Sequence, residues 1–328
     1  MDALIAEVAA RYAVAITPAM DALAKAEPNG PVARQFVPSA AELETAPDEL
    51  TDPIGDEVHS PVKGIVHRYA DRVLLKPIHV CPVYCRFCFR REVVGPGSEA
   101  LTSTELKAAL DYIRSQPQIW EVILSGGDPL LLSARRLRDI VEALDAIPHV
   151  NVIRLHSRVP VVAPELLDAD KLAALRTTDS AAYVAIHANH ADEFTPAARD
   201  ACAALANAGI PLLGQSVLLR GVNDTATALE GLFRTMVRNR IKPYYLHHGD
   251  LAPGTAHFRT SIEEGQALMR DLRGRVSGLC QPAYMLDIPG GHGKVPLGPD
   301  FAAPNGDGSW TITDPQGDTH TYPPGRTA

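Results

Sequence analysis

The sequence predicts an α/β fold: a partial (βα)6 barrel of the TIM type, with an N-terminal helical arm and a small C-terminal β extension. Apolar, strand-like runs recur through the middle of the chain at intervals of about thirty residues, the size of a βα unit. Amphipathic, helix-like segments separate them, and near-continuous apolar strands indicate a parallel sheet buried on both faces. Residues capable of chemistry follow these strands, where barrels of this kind carry their active sites.

The first part of the chain predicts an arm. Residues 3–14 have helical periodicity, and Pro18 can begin a second helix because proline fits the first helical turn. Residues 28–61 are rich in proline and acidic side chains, which favours an extended segment lying on the main domain. We therefore assign residues 1–60 to the arm and residues 61–275 to the barrel.

Six strands and six helices are expected in the barrel. The strands are 73–80, 121–124, 151–155, 181–186, 211–219 and 241–246. The helices are 103–115, 133–146, 164–175, 195–208, 224–240 and 261–273. At or just past the strand ends stand Cys81, Gly126, His156, His187, Gln215 and His247. A doubly wound open sheet is the alternative, because a short barrel and an open sheet have the same sequence pattern.

The pattern changes after the last of these helices. Residues 284–296 are rich in glycine and proline. Residues 309–313 and 318–322 flank an Asp-Pro-Gln-Gly turn, which predicts a hairpin. We assign residues 276–328 to a C-terminal extension that carries a lysine loop and this hairpin.

Composition narrows the class of protein. The chain has 328 residues, 46% of them hydrophobic, and a formal net charge of −8, which argues against a nucleic-acid or membrane-surface partner. The N-terminus lacks the basic start of a signal peptide, and no apolar run is long enough to span a bilayer. The expectation is a cytoplasmic protein with reduced thiols.

Three of the five cysteines form a CxxxCxxC motif at the end of the first apolar run: Cys81, Cys85 and Cys88. Three thiolates can hold three irons of a [4Fe–4S] cube and leave the fourth iron open to a small molecule. A structural zinc site normally needs four protein ligands, and none follows at short spacing. A disulfide framework favours an oxidising compartment. The iron–sulfur interpretation is therefore preferred.

Two glycine-rich stretches could carry further chemistry. Ser125, Gly126, Gly127 and Asp128 follow the second strand, and glycines let the backbone approach a ligand closely. Lys294 ends an Asp-Ile-Pro-Gly-Gly-His-Gly-Lys loop, from which its amine could form a Schiff base with an aldehyde cofactor. Taken alone, either stretch could be an ordinary turn.

The cysteine motif, with Tyr84 and Phe87 before its second and third cysteines, resembles the radical S-adenosylmethionine (SAM) enzymes. In that superfamily the open iron chelates SAM, and an electron from the cluster cleaves it to a 5′-deoxyadenosyl radical. The resemblance implies that residues 125–128 hold the SAM amino group, with Gln215 and His187 as weaker candidates for the same ligand.

Six motifs resemble, in their order and contexts, those of the lysine 2,3-aminomutase family. They lie at residues 68–72, 81–91, 125–129, 215–224, 244–247 and 287–294. The resemblance runs from about residue 52 to residue 322. The chain is shorter than the catabolic lysine enzymes and lacks their C-terminal cysteine cluster, which makes it more similar to the branch linked to elongation factor P.

The resemblance implies a second cofactor, pyridoxal 5′-phosphate (PLP), attached to Lys294. Arg68 and Arg72 would bind its phosphate, and arginine forks suit phosphate on chemical grounds as well. Arg90 would hold the substrate's α-carboxylate.

Asp250 and Asp287 would hold a distal ammonium group, so the implied reaction is conversion of L-lysine to β-lysine by migration of the amino group from C2 to C3. Alternatives are another basic amino acid, the same chemistry in elongation factor P modification, or a non-catalytic iron–sulfur or SAM-binding protein. An electron donor such as flavodoxin or ferredoxin and a homo-oligomeric assembly are also expected.

Overall fold

A computed structural model describes residues 3–97 and 100–323. Its main sheet has nine strands in the order of the chain. They are β1 (Ile65–Tyr69), β2 (Arg72–Ile78), β3 (Glu121–Gly126), β4 (Val152–Ser157), β5 (Ala181–His187), β6 (Leu212–Val217), β7 (Ile241–His247), β8 (Ala283–Ile288) and β9 (Gly293–Pro296). β2 to β8 are parallel, and β1 and β9 pair antiparallel at the two edges.

Helices cover the outer face of the sheet and form the arm. They are α1 (Ala3–Arg11), α2 (Pro18–Ala26), α3 (Pro31–Phe36), α4 (Ser103–Arg114), α5 (Ala134–Asp145), α6 (Val159–Val162), α7 (Ala169–Ala174), α8 (Pro196–Asn207), α9 (Ala226–Arg238) and α10 (Ile262–Arg275). In α9 the buried side chains are Leu229, Leu232, Phe233 and Met236, the spacing of one helix face. Within the described ranges, every helix is too short or too polar to cross a bilayer.

The partial barrel is confirmed, and the doubly wound sheet is excluded. Strand order follows chain order from β1 to β9, whereas a doubly wound sheet reverses its order at a switch point. The six expected strands correspond to β2 to β7. The sheet curves until its edges nearly meet. Lys294 N on the edge strand β9 donates a hydrogen bond to Tyr69 Oη on the other edge strand, β1, at 2.7 Å.

Three strands of the main sheet were not expected. β1 is a short edge strand that carries polar side chains. β8 and β9 lie in the stretch rich in glycine and proline and pair across a turn in which Gly290 and Gly291 have positive φ. The structure therefore places Lys294 on a strand of the main sheet.

The helices also differ locally from the expected pattern. The single helix expected over residues 164–175 is instead a 3-10 turn at Pro164–Leu166 followed by the shorter α7, because the Asp168 side chain caps a new helix start there. Within the expected extended segment, residues Pro31–Phe36 form α3. The expected hairpin is present as β11 (Trp310–Thr313) and β12 (Thr319–Tyr322), joined by β10 (Ala302–Pro304) in a separate three-stranded sheet.

Candidate active site

A cavity of about 490 Å³ opens at the carboxyl ends of the parallel strands and extends into the barrel. All of the site residues expected from the sequence line it. They are Arg68, Arg72, Cys81, Cys85, Cys88, Arg90, Ser125, Gly126, Gly127, Asp128, Gln215, Asp250, Asp287 and Lys294. Residues from β1 to β9 thus meet in one space, although their individual roles remain predictions.

The cysteine loop follows β2 and is held from behind by the arm. Glu42, which is fully buried, accepts hydrogen bonds from Arg86 Nε at 3.0 Å and Nη2 at 2.5 Å, and from Arg91 Nη2. The backbone N–H of Arg86 also donates to Gln35 O at 2.8 Å. Two arginines of the loop are therefore tied to one buried carboxylate of the arm.

The three thiols suit a cluster better than a single metal ion. Cys81, Cys85 and Cys88 are free, and burial raises the pKa of Cys88 to about 11 and that of Cys81 further still. Among the described residues, no three His, Cys, Asp or Glu side chains converge on one ion. A cube does not require such convergence, because each thiolate binds a different iron. Metal binding would displace the thiol protons.

The Ser-Gly-Gly-Asp turn packs against the start of the cysteine loop. Gly126 has a φ of +106°, and a Cβ on Gly127 would stand 2.2 Å from Val80 O. The backbone N–H of Gly127 donates to Ile78 O at 2.7 Å. Only glycine permits this approach between the end of β3 and the start of the cysteine loop.

Asp128 supports the turn with its side chain. Its carboxylate accepts hydrogen bonds from Leu130 N at 3.0 Å, Ser157 Oγ at 2.7 Å, and the backbone N–H groups of Arg158 and Val159 at 2.7 and 3.1 Å. The side chain is thereby committed to the protein, so a ligand at this turn would meet its backbone.

Lys294 and Asp287 face each other across the β8–β9 ladder. Lys294 Nζ donates to both carboxylate oxygens of Asp287, and His247 Nδ1 lies 3.6 Å from Asp287 Oδ2. Burial alone would raise the pKa of Asp287, but the neighbouring His247 and the charge of Lys294 lower it to about 2. Burial, together with the charge of Asp287, raises the pKa of Asp250 to about 7.

Arg68 and Arg90 meet at a residue that the sequence analysis did not select, Asp56. Arg90 donates to Asp56 Oδ2 from Nε at 3.1 Å and Nη2 at 2.9 Å. Arg68 Nη2 donates to Asp56 Oδ1 at 3.3 Å and to Ile54 O at 2.6 Å. Burial would raise the pKa of Asp56, but Arg90 and Lys76 hold it below its ordinary value.

Arg72 begins β2 and contacts Tyr69 on the edge strand β1. Its guanidinium stacks on the Tyr69 ring at 3.7 Å from the centroid and pairs with Asp71 at 2.7 Å. Tyr69 also accepts the backbone hydrogen bond of Lys294. Arg72 and Lys294 are therefore fixed by the same tyrosine.

Two histidines at strand ends add neutral polar atoms to the cavity wall. Burial is the main cause that lowers the pKa values of His156 and His187 well below the usual histidine value. In the described part of the chain, their Nε2 atoms are buried without a hydrogen-bond partner. His187 stacks near Phe87 of the cysteine loop, with centroids 5.7 Å apart. Gln215, the β5–β6 ladder partner of His187, completes this wall.

Comparison with known proteins shows which family the chain resembles. Residues 75–228 match the family model described as the Radical SAM superfamily. The chain is 43% identical over 289 residues to the L-lysine 2,3-aminomutase of Acetoanaerobium sticklandii, covering 88% of this chain and 70% of that protein. It is 42% identical over 275 residues to the L-lysine 2,3-aminomutase of Clostridium subterminale, covering 84% and 66%.

A relative with a different named substrate also matches. The chain is 36% identical over 276 residues to the glutamate 2,3-aminomutase of Clostridioides difficile, covering 84% of this chain and 65% of that protein. It thus spans about two thirds of the length of these three relatives.

The barrel, the three-cysteine loop and these matches define a radical SAM protein, whose cofactors are a [4Fe–4S] cluster and SAM. More narrowly, the chain belongs to the lysine 2,3-aminomutase family of isomerases.

Proposed function

We propose that the protein is a radical SAM, PLP-dependent 2,3-aminomutase that moves the α-amino group of L-lysine from C2 to C3. The observation that carries this proposal is the shared cavity. Cys81, Cys85, Cys88 and Lys294, which lie far apart in the chain, all line it. A cluster alone would not need the lysine, and a lysine-bound cofactor alone would not need the cysteines.

The residues around the cysteine loop fit a cluster and SAM. The three free thiols lie on a loop held by the buried Glu42, and the Gly126–Gly127 turn presents backbone beneath them. Arg158 Nη1 donates to Cys85 Sγ at 2.7 Å, and hydrogen bonds of this kind tune iron–sulfur clusters. The cluster would supply the electron that cleaves SAM, and PLP would hold the amino group and delocalise the radical during migration.

The residues around Lys294 fit PLP. Arg68 and Arg72 are arginines suited to a phosphate, and Arg68 Nε is a buried donor with no partner among the described residues. Lys294 is already positioned by the Tyr69 hydrogen bond and the Asp287 ion pair. Its Nζ must lose a proton before it can react with the aldehyde.

The charges favour lysine over glutamate. Asp250 and Asp287 are two carboxyl groups facing one region of the cavity, and each contact with an ammonium at about 4 Å is worth roughly 4 kcal/mol at an effective dielectric of 20, before desolvation. A glutamate side chain there would meet like charge. Arg90, which also lines the cavity, would hold the α-carboxylate.

The apolar wall would protect radicals from water. Phe87 and Phe258 pack edge to face at 6.2 Å between ring centroids, and Phe258 is buried with Leu219 and Val222. Excluding water prevents side reactions of reactive intermediates. The protein's own contribution is thus binding, orientation and shielding.

An anaerobic assay of lysine, arginine, ornithine and glutamate tests the proposal. The reconstituted protein with SAM, PLP and dithionite should convert lysine to β-lysine in preference to the others. Lys294→Ala and Cys88→Ala should each abolish conversion. A preference for glutamate would contradict the role given to Asp250 and Asp287.

The same chemistry could serve elongation factor P modification, a second candidate implied by the resemblance to a branch of this family. Comparing free lysine with a lysyl group on elongation factor P as substrates separates the two. Deletion of the gene should abolish β-lysyl modification only if the second candidate is correct.

A further inference from the structure

Asp56 is a buried carboxylate, 7% exposed, that faces three cations. Besides its bonds to Arg90 and Arg68, its Oδ2 lies 3.7 Å from Lys76 Nζ. Its own backbone N–H is capped by Asp52 Oδ1 at 2.8 Å. No step of the proposed reaction uses it.

Asp56 supports the two arginines from behind. Arg68 and Arg90 line the cavity, whereas Asp56 does not. Arg90 donates hydrogen bonds from Nε and Nη2 to Asp56, while its Nη1 lies 3.4 Å from Ser125 Oγ. Arg68 donates a hydrogen bond from Nη2 to Asp56, while its Nη1 lies 3.9 Å from Asp287 Oδ1. Each guanidinium therefore has one edge on Asp56 and another toward the cavity.

The backbone that carries Asp56 is clamped to the glycine turn before Lys294. Gly55 has a φ of +66°, and a Cβ there would stand 2.4 Å from Gly291 N. His59 Nε2 lies 2.9 Å from Gly291 O. The backbone that carries the carboxylate is consequently held in place relative to the turn.

We propose that Asp56 is a positioning residue that aims Arg68 at the PLP phosphate and Arg90 at the substrate carboxylate, so that one buried group couples the two anion sites. This inference rests on the proposed function. The simpler role, a counterion that only neutralises crowded cations, predicts the opposite sign. Removing a mere counterion strengthens binding of anions, whereas removing a positioning group weakens it.

Binding of PLP and of pyridoxal, which lacks the phosphate, distinguishes these roles. Each is followed by the absorbance band of the lysine-bound aldehyde. In Asp56→Asn we expect the Kd of PLP to rise about tenfold and that of pyridoxal to change less than twofold. Equal weakening of both ligands, or tighter PLP binding, would overturn the inference. Asp111→Asn, an exposed acid of α4 that pairs with Lys107, is the matched control and should stay within twofold of wild type.

A double variant separates the loss of the Asp56 hydrogen bonds from the change in net charge. Lys76 is the one cation of the three that does not line the cavity, so Asp56→Asn/Lys76→Met keeps the net charge of the cluster. Its PLP affinity should remain about tenfold below that of wild type, and Asp56→Glu should recover to within about threefold. Full recovery in the double variant would show a counterion and overturn the inference.

Steady-state kinetics give a second readout for the carboxylate site. Asp56→Asn should raise the KM for L-lysine about tenfold and leave kcat within threefold, and an unchanged KM would overturn the coupling. If wild-type protein shows no PLP band that Lys294→Ala removes, the proposed function fails and this inference with it. If wild type shows the band and Asp56→Asn binds PLP normally, only this inference fails.

Discussion

Asp250 and Asp287 lie in one cavity, yet their carboxyl groups ionise in different pH ranges. Asp287 is held ionised by His247 and Lys294, with a pKa of about 2. Burial and the charge of Asp287 raise the pKa of Asp250 to about 7. Below that pH Asp250 takes up a proton and loses the charge with which it would attract an ammonium group.

This difference predicts a pH dependence for lysine. Because kcat/KM reports groups of the free enzyme, it should rise with pH up to about 7, by as much as tenfold per pH unit, and then level off. Asp250→Asn should flatten the profile and lower kcat/KM roughly 30-fold or more, since loss of one partner of a buried charge pair costs about 2–5 kcal/mol. A profile in Asp250→Asn that still rises through neutral pH would assign the titration to another group.

Residues with local signatures could be identified from the sequence. The three cysteines and Lys294 are short motifs, and all of them reach the cavity. Asp56 could not be identified, because its partners Arg68 and Arg90 lie 12 and 34 residues away. In the sequence it has the appearance of an ordinary turn aspartate.

At the scale of elements, the 3-10 turn Ala40–Leu43 is bound to the cysteine loop by a buried ion-pair network. Its Glu42 pairs with Arg86 and Arg91, all three buried. Glu42→Ala would leave two arginines unpaired, at a cost of about 3–5 kcal/mol. We expect a lower midpoint of thermal unfolding and a lower iron content per chain, measured by calorimetry and iron analysis. If the variant is destabilised but keeps a normal iron content, the arm is not needed to retain the cluster.

The Gly126–Gly127 turn offers a second test at this scale. In Gly127→Ala the new Cβ would collide with Val80 O, so the turn must move away from the cysteine loop. SAM affinity, measured by calorimetric titration of reconstituted protein, should fall at least tenfold. Gly231→Ala in α9 is the control: a Cβ there meets nothing within 4 Å, and stability should rise by about 0.5–1 kcal/mol. Unchanged SAM affinity in Gly127→Ala would show that the turn does not contribute to SAM binding.

The predictability of the elements followed their length and periodicity. β2 to β7 were expected because each is an apolar run between amphipathic helices. β1 and β9 are short edge strands that pair with the adjacent strand across a short turn, and neither has the long apolar run that marks β2 to β7. The stretch rich in glycine and proline concealed β8 and β9, although its glycines serve the turn between them.

On the scale of the whole molecule, the near-closure of the sheet joins the two halves of the site. Tyr69 on β1 accepts the N–H of Lys294 on β9 and supports Arg72 with its ring. Tyr69→Phe keeps the ring but removes the acceptor. We expect a loss of about 0.5–1.5 kcal/mol in the free energy of unfolding and slower formation of the PLP band.

Tyr112→Phe is the matched control for this experiment. Tyr112 also bonds to β1, through His67 Nδ1 at 2.7 Å, but lies outside the cavity. It should lose similar stability without slowing formation of the band. If both variants form the band at the wild-type rate, closure of the sheet does not govern the position of Lys294.

The central claim is that a radical generated at the cluster reaches a substrate held at Lys294 in the same cavity. The most direct measurement follows deuterium from C3-deuterated L-lysine into the 5′ carbon of the deoxyadenosyl group, by mass spectrometry after anaerobic incubation with SAM, PLP and dithionite. The account predicts deuterium transfer in wild type, no transfer in Lys294→Ala despite retained SAM cleavage, and neither in Cys88→Ala. Transfer that persists in Lys294→Ala, or SAM cleavage in wild type with no deuterium transfer, would contradict it.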